Sequence, residues 1–366
     1  MEHATSSSSV RPEHGGRGSG NQAYRTGPAP QVGRRSESRQ WGAALSPAAA
    51  AGKIHRDRER NGLRTVVLGY PEGMKTIDVG TSFTLSGTAP TATFLRIRPS
   101  DYEIIDSRLI ITDQFGVQHL TFTEADWPRN DPEPTQRVDR VVLPSGINTV
   151  TYAASVEVPD LVDPMPNDLL APRAAEILPE HLWWLQPSRY CRPDELGQEA
   201  WDRFGRDITP DRPANGETVR NICSFVNQEM TFAYGSSTPL TSASEAWAQR
   251  RGVCRDFNHV AASFCRALNI PTRYVFGYFP DVGVAASDLP MDFSAWIEVC
   301  LDDSWWTFDA RINEPRIGRI VVGRGRDAAD VPMISTLGAT SLSDFAVQAS
   351  ERLLHTGRFP ELAGRG

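Results

Sequence analysis

The chain has 366 residues, of which 40% are apolar, with a net charge of −7 and an isoelectric point near 5.6. This length allows two domains with buried cores, and the acidic balance argues against nucleic-acid binding because phosphate backbones attract basic surfaces. The five cysteines are an odd number without a C-x-x-C pair, which argues against a disulfide scaffold or a zinc site. We expect no metal and no cofactor.

The first 60 residues are predicted to be a disordered, low-complexity arm. They are rich in Ser, Gly, Pro, Ala and Arg and have almost no large apolar side chains, so they cannot bury enough surface to fold. The N-terminus lacks the apolar segment of a signal peptide, and the chain contains no stretch of about 18 apolar residues. The sequence therefore predicts a cytoplasmic protein that does not insert into a membrane.

Residues 61–165 are predicted to form an all-β domain. Apolar side chains alternate with polar or small ones in several short segments, most regularly from Val150 to Val158, after the turn signal Pro144-Ser145-Gly146. No cluster of catalytic residue types occurs in this region. A supporting or docking role is the expected one.

Residues 166–350 are predicted to form an α+β core domain, followed by a short tail at 351–366. Apolar residues recur at helical spacing from Val219 to Met230, and a second helix begins with a capping box of Ser242 and Glu245. A third helix is predicted from about residue 254 to 269, before Pro271. Four strand-like segments follow at 273–279, 294–301, 304–310 and 316–323, an order typical of α+β domains.

Cys254 is a candidate nucleophile. It follows Gly252-Val253 and begins the third predicted helix, where its thiol would lie at the positive end of the helix dipole, close to Arg255. Both features stabilise a thiolate and predict a lowered pKa. A single cysteine can equally be a small core residue, and the position in the helix leaves both interpretations open.

Asp309 is a candidate catalytic carboxylate, and the strand register brings Ser294 near it. If Asp302 and Asp303 form a two-residue turn, Trp296 lies opposite Asp309. Ser294 is then a diagonal neighbour on the same face, about 7 to 8 Å away. A histidine at this position would reach both the carboxylate and a thiol on the helix, whereas a serine cannot span the gap.

Three segments carry a family resemblance: GVCRDFNHVAASFCRALNIPTRYVFGYF, DFSAWIEV and WWTFDARINEPRIGRIVVGRGRDAADV. They resemble the bacterial branch of the transglutaminase-like superfamily, whose core is similar to papain-like cysteine proteases. With LQPSRYC and the β-rich stretch before it, the resemblance covers about residues 62–350. It implies a helix bearing the nucleophile Cys254 packed on an antiparallel sheet, after an all-β domain. It also implies that Asp309 orients a catalytic histidine, and that a protein or peptide amide is hydrolysed or transamidated through a thioester.

Ser294 departs from this family pattern, because the H-A-W that supplies the catalytic histidine here reads Ser294-Ala295-Trp296. An imidazole takes the thiol proton and later returns it to the leaving amine, and a serine hydroxyl can do neither near neutral pH. His259 is five residues after Cys254, on a different side of the helix, and we interpret it as structural. Very weak or absent turnover is expected.

Three functions fit these observations. The first is a weak enzyme of the thiol acyl-transfer class that acts through Cys254. The second is a relative without catalysis that binds peptide or protein in the cleft. The third is a structural or interaction protein in which the β domain carries the function.

Overall fold

The computed structural model describes residues 54–57, 64–67, 73–125, 136–287 and 290–352. Most of the predicted N-terminal arm and C-terminal tail lies outside these ranges.

The strands are β1 (Ile54–Asp57), β2 (Arg64–Val67), β3 (Met74–Gly87), β4 (Thr91–Leu95), β5 (Ile104–Asp113), β6 (Phe122–Ala125), β7 (Arg137–Leu143), β8 (Gly146–Pro159), β9 (Thr231–Phe232), β10 (Arg251–Gly252), β11 (Thr272–Tyr278), β12 (Ser294–Leu301), β13 (Ser304–Phe308), β14 (Ile320–Gly325), β15 (Ile334–Leu337) and β16 (Thr340–Glu351). The helices are α1 (Pro179–Leu182), α2 (Pro193–Phe204), α3 (Gly216–Glu229), α4 (Ala243–Gln249) and α5 (Cys254–Ala267), with a short 3₁₀ turn at Ala174–Glu176. None of the helices in the described ranges is long and apolar enough to cross a membrane.

The N-terminal β region consists of two four-stranded antiparallel sheets, with strand orders β16-β3-β8-β5 and β15-β4-β7-β6. Strands β3 and β8 pair along their whole length, from Met74 opposite Pro159 to Gly87 opposite Gly146. The predicted alternation in β8 is confirmed, because every second side chain from Val150 to Val158 is at most 1% exposed. These side chains fill the core of the region.

Two strands from the end of the described chain complete these sheets. β16 pairs with β3, and β15 pairs with β4, with Ile334 opposite Leu95. Strand pairing therefore crosses the domain boundary that the sequence analysis sets at residue 166. Neither strand is among those predicted from the sequence, since both follow the segments that carry the family resemblance.

The core domain has an antiparallel sheet of order β13-β12-β11-β14, with helices packed on one face. Helix α5 is central: every residue from Asp256 to Arg266 is buried, and it contacts α2, α3, α4, β11 and β12. Helices α3, α4 and α5 and the strands β11 to β13 lie close to the predicted segments, whereas β14 begins at Ile320, later than predicted. The predicted α+β architecture, with a cysteine-bearing helix on an antiparallel sheet after a β-rich region, is confirmed.

An ionic cluster joins this sheet to the N-terminal β region. Glu298 of β12 accepts from Arg273 at 2.5 Å and from Arg324 at 2.8 Å, and Arg324 also pairs with Asp101. All four side chains are at most 3% exposed. Apolar side chains of the two regions also pack together in one core. The core-domain sheet therefore packs against helices and also against the N-terminal β region.

Candidate active site

Cys254 occupies the first position of α5, and the residues around it explain why the helix begins there. Asp256 folds back over the helix start, and its carboxylate accepts from the Val253 backbone N–H at 2.8 Å. A side chain at position 252 would bring its Cβ to 2.6 Å from the Cβ of Asp256, so only glycine fits. The sequence G-V-C-R-D therefore fixes the cysteine at the helix N-terminus.

The Cys254 sulfur faces the start of β12. The residue as a whole is partly exposed, its thiol donates to the Phe293 carbonyl at 3.8 Å, and the backbone N–H groups of Ala295 and Arg255 bond to the sulfur. Both chain neighbours of Ser294 thus contact the nucleophile candidate. The structure therefore brings positions 254 and 294 together.

Burial raises the pKa of the Cys254 thiol to about 12, and the carboxylates of Asp292 and Asp309 add to this effect. The two backbone N–H groups act in the opposite direction but do not compensate. The lowered pKa expected from the helix N-terminus is therefore wrong. One reason is that Arg255 points away: its Nη2 donates to Ser237 Oγ at 2.6 Å and to the Thr238 carbonyl at 2.9 Å.

The strand pair that carries positions 294 and 309 has the predicted register. Asp302 and Asp303 have φ values of 46° and 57°, which identifies a tight turn with two left-handed residues, and Leu301 pairs with Ser304. Phe308, the last residue of β13, lies opposite Ile297. Asp309 comes directly after the strand, near the start of β12.

The Asp309 carboxylate is buried and well bonded. Its Oδ1 accepts from the backbone N–H groups of Arg311 at 2.8 Å and Ile312 at 3.1 Å, and from Asn258 Nδ2 at 3.3 Å. Its Oδ2 accepts from Arg319 Nη1 at 2.8 Å. The carboxylate is thus held in one orientation from both sides.

Asn258 links the helix to both strands, a role that the sequence analysis missed. It lies one helical turn after Cys254 and is fully buried. Its Nδ2 donates to the Ala295 carbonyl at 2.8 Å and its Oδ1 accepts from the Ala310 N–H at 3.1 Å. The available signal was an amide side chain one helical turn after the candidate nucleophile Cys254.

Arg319 was also missed. Its side chain is 5% exposed, and its Nε donates to Asp163 Oδ2 at 2.7 Å while its Nη1 donates to Asp309. Both carboxylates and the guanidinium line a half-open pocket of about 60 Å³, a volume that suits a few water molecules. The carboxylate of Asp309 therefore belongs to an ionic cluster with Arg319 and Asp163.

The described histidines have partners elsewhere. His259 is fully buried, its Nε2 accepts from the Ala328 N–H at 3.1 Å, and burial lowers its pKa to about 3. The interpretation of His259 as structural is confirmed. His181 lies 3.7 Å from the Cys300 sulfur, and His119 contacts Asp113. No histidine side chain that the structure describes contacts the Cys254 sulfur.

The arrangement therefore has a thiol and an oriented carboxylate, and Ser294 lies in the chain between Phe293 and Ala295, whose backbone groups contact the thiol. Neither the serine hydroxyl nor the neighbouring backbone groups can exchange a proton with the thiol near neutral pH. The thiol at rest is neutral.

Comparison with known proteins gives a family match that covers this site. Residues 202–310 match the model described as the transglutaminase-like superfamily. The matched segment includes Cys254, Ser294 and Asp309.

The chain is similar to mycobacterial proteins and to one solved structure. An uncharacterized protein of Mycobacterium tuberculosis is 29% identical over 168 residues, 43% of this chain and 53% of that protein. One of Mycobacterium leprae is 32% identical over 166 residues, 43% of this chain and 57% of that protein. The chain thus spans about half the length of these curated relatives. The crystal structure of a "Putative Cysteine Protease" from Cytophaga hutchinsonii has a TM-score of 0.64 and 26% identity, covering 80% of this chain and 94% of that chain.

Proposed function

We propose that this chain, a member of the transglutaminase-like superfamily, is a protein of the thiol acyl-transfer class whose turnover is very weak. Its substrate would be a protein or peptide amide, attacked by the Cys254 sulfur to form a thioester with loss of the amine. The observation that supports the proposal is that Cys254 contacts Phe293, the chain neighbour of Ser294, while Asn258 of the same helix contacts Asp309.

The chemistry explains why turnover would be weak. Attack on an amide requires a thiolate and a proton for the leaving amine, and an imidazole normally supplies both. Here the pKa of the thiol is raised to about 12, so that the neutral form dominates at pH 7. General acid–base assistance contributes about 10²- to 10⁴-fold to such reactions, and that contribution is lost without a base.

A second candidate is a protein that binds peptide in the same cleft without turnover. The raised pKa of Cys254 favours it, because a neutral thiol is a poor nucleophile. A partly exposed cysteine beside backbone donors and acceptors would still offer hydrogen bonds to an extended peptide. The two candidates differ in whether a bound peptide is consumed.

Replacing Ser294 with His tests the proposal. We expect this variant to release ammonia or amine from glutamine-containing peptides about 10²- to 10⁴-fold faster than the unmodified protein, because the base is restored. Product mass and released ammonia measure the reaction. Cys254→Ala in the same background should abolish the gain.

Ser304→His is a matched control, since Ser304 is also a half-buried first residue of a strand in the same sheet. It should leave the rate unchanged. Efficient, Cys254-dependent turnover by the unmodified protein would contradict the proposal. If Ser294→His gains no activity while peptide binding persists, the second candidate is supported instead.

A further inference from the structure

The Asp309 carboxylate has one acceptor position left. A carboxylate offers about four lone-pair positions, two on each oxygen. Oδ1 already accepts from the N–H groups of Arg311 and Ile312 and, at longer range, from Asn258. Among the described residues, Oδ2 accepts only from Arg319. The remaining position is therefore on Oδ2, and the Arg319 bond determines its direction.

Arg319 itself is held firmly. Its Nε donates to Asp163 at 2.7 Å, its Nη1 donates to Asp309 at 2.8 Å, and the Phe279 ring lies 4.3 Å from its Cζ. A planar guanidinium bonded at two edges and stacked on a ring cannot rotate freely. The orientation of the carboxylate therefore depends on a group that is fixed from the other side.

We propose that Arg319 is a positioning residue that directs the free acceptor position of Asp309 toward position 294. The inference rests on the proposed function, in which position 294 is that of the missing base. An imidazole restored there would find the carboxylate already oriented, and would be held in one tautomer by it.

Arg316 provides a matched comparison. It is a second arginine over the same Phe279 ring, at 4.8 Å, and it pairs with Asp281 at 3.0 Å. Its side chain forms no ion pair with Asp309 within the part of the chain that the structure describes. Replacing Arg316 therefore removes a positive charge and packing on Phe279, as replacing Arg319 does, but removes no bond to the Asp309 carboxylate.

The experiment uses the full chain with Ser294→His, alone and combined with Arg319→Gln, Arg319→Lys or Arg316→Gln. Nitrogen-15 NMR of the introduced imidazole reports its tautomer, and a downfield N–H proton reports its bond to a carboxylate. We expect one tautomer and a downfield proton in Ser294→His and in the Arg316 combination. Arg319→Gln should give mixed tautomers without the downfield proton, and lower kcat/KM by about 10- to 100-fold. Arg319→Lys should give an intermediate tautomer ratio and kcat/KM, since lysine keeps the positive charge but lacks the two-edged planar guanidinium.

Asp163→Asn in the Ser294→His chain covers the case in which Arg319→Gln does not fold. It frees one edge of the guanidinium and should weaken the downfield signal. The proposal is overturned if Ser294→His shows no carboxylate-bound imidazole, or if a folded Arg319→Gln combination keeps the same tautomer and signal. An imidazole that shows the expected signal in a protein without turnover contradicts the proposed function and supports the positioning role.

Discussion

At the scale of single residues, the negative charges of two carboxylates raise the pKa of the Cys254 thiol. Asp292 and Asp309 each raise its pKa, after the larger effect of burial. A neighbouring negative charge disfavours the thiolate, so that removal of that charge lowers the thiol pKa. Asp292 is the better position to test, because it is exposed and Asp309 is tied into the fold.

Asp292→Asn should lower the pKa of Cys254 by about half a unit to one unit. Iodoacetamide reacts with the thiolate, so alkylation at pH 8 should become about three- to tenfold faster. The pH dependence of adduct formation, followed by intact mass, measures the shift. Cys254→Ala identifies the adduct site, and Asp194→Asn, an exposed change in α2, should leave the rate unchanged. An unchanged or slower rate in Asp292→Asn would be incompatible with this account.

The sequence identified some residues of the site and missed others for a physical reason. Cys254, Ser294 and Asp309 lie in short segments with recognisable local patterns, a helix start and a strand hairpin. Arg319 is fixed on one side by Asp163, which is 156 positions away along the chain, and no local pattern shows that its other side meets Asp309. The thiol pKa was predicted in the wrong direction because burial and Asp292 oppose the helix dipole, and neither effect is visible from helix position alone.

At the scale of elements, Asn258 is a buried polar contact between α5 and both strands of the site. Its amide donates to the Ala295 carbonyl and accepts from the Ala310 N–H, and the side chain is fully buried. Buried backbone groups that lose their partner cost about 1 to 3 kcal/mol each. One side chain of the helix therefore bonds to both strands of the hairpin.

Asn258→Ala should lower the free energy of unfolding by about 2 to 4 kcal/mol, because two buried backbone groups lose their partner. Chemical denaturation followed by circular dichroism measures it. Ser263→Ala is the matched control: Ser263 is buried in the same helix, and its hydroxyl donates to the His259 carbonyl of that helix at 2.8 Å. It should cost less than about 1 kcal/mol. Equal losses in the two variants would exclude a linking role for Asn258.

The elements themselves follow well from local sequence. The capping box of Ser242 and Glu245 and the hairpin turn at Asp302 and Asp303 are both present, because each depends on residues within a few positions. β15 and β16 were not identified, and their partners are strands far earlier in the chain. The spacing of apolar residues predicts the fold class. It does not predict that the last two strands pair with β4 and β3.

At the scale of the whole molecule, the cluster of Asp101, Arg273, Glu298 and Arg324 joins the β region to the core sheet. Burial alone would raise the pKa of Glu298, but the two guanidinium groups outweigh burial and lower it below the ordinary value. A carboxyl group whose pKa is lower in the folded chain stabilises the fold above its unfolded pKa, about 4.3. That stabilisation is lost as the pH falls toward the folded pKa.

The unmodified protein should therefore lose stability as the pH falls below about 4.3, and Glu298→Gln should show a flatter profile. At pH 7, Glu298→Gln should lower the free energy of unfolding by about 3 to 5 kcal/mol, because two buried arginines lose a partner. Denaturant titrations from pH 3 to 7 measure both effects. Glu217→Gln, an exposed change in α3, should keep the original profile. A pH profile of Glu298→Gln that matches the unmodified protein would contradict the role of the cluster.

The pairing of β16 with β3 also sets an order of events during synthesis. Thr81 donates to the Ala346 carbonyl across 265 positions of the chain. At a translation rate of about 5 to 20 residues per second, β3 leaves the ribosome roughly 13 to 50 s before β16 exists. During this time β8 can pair with one edge of β3 while the other edge stays open, and an open edge can pair with strands of other nascent chains. The last strand that the structure describes thus closes the first large sheet.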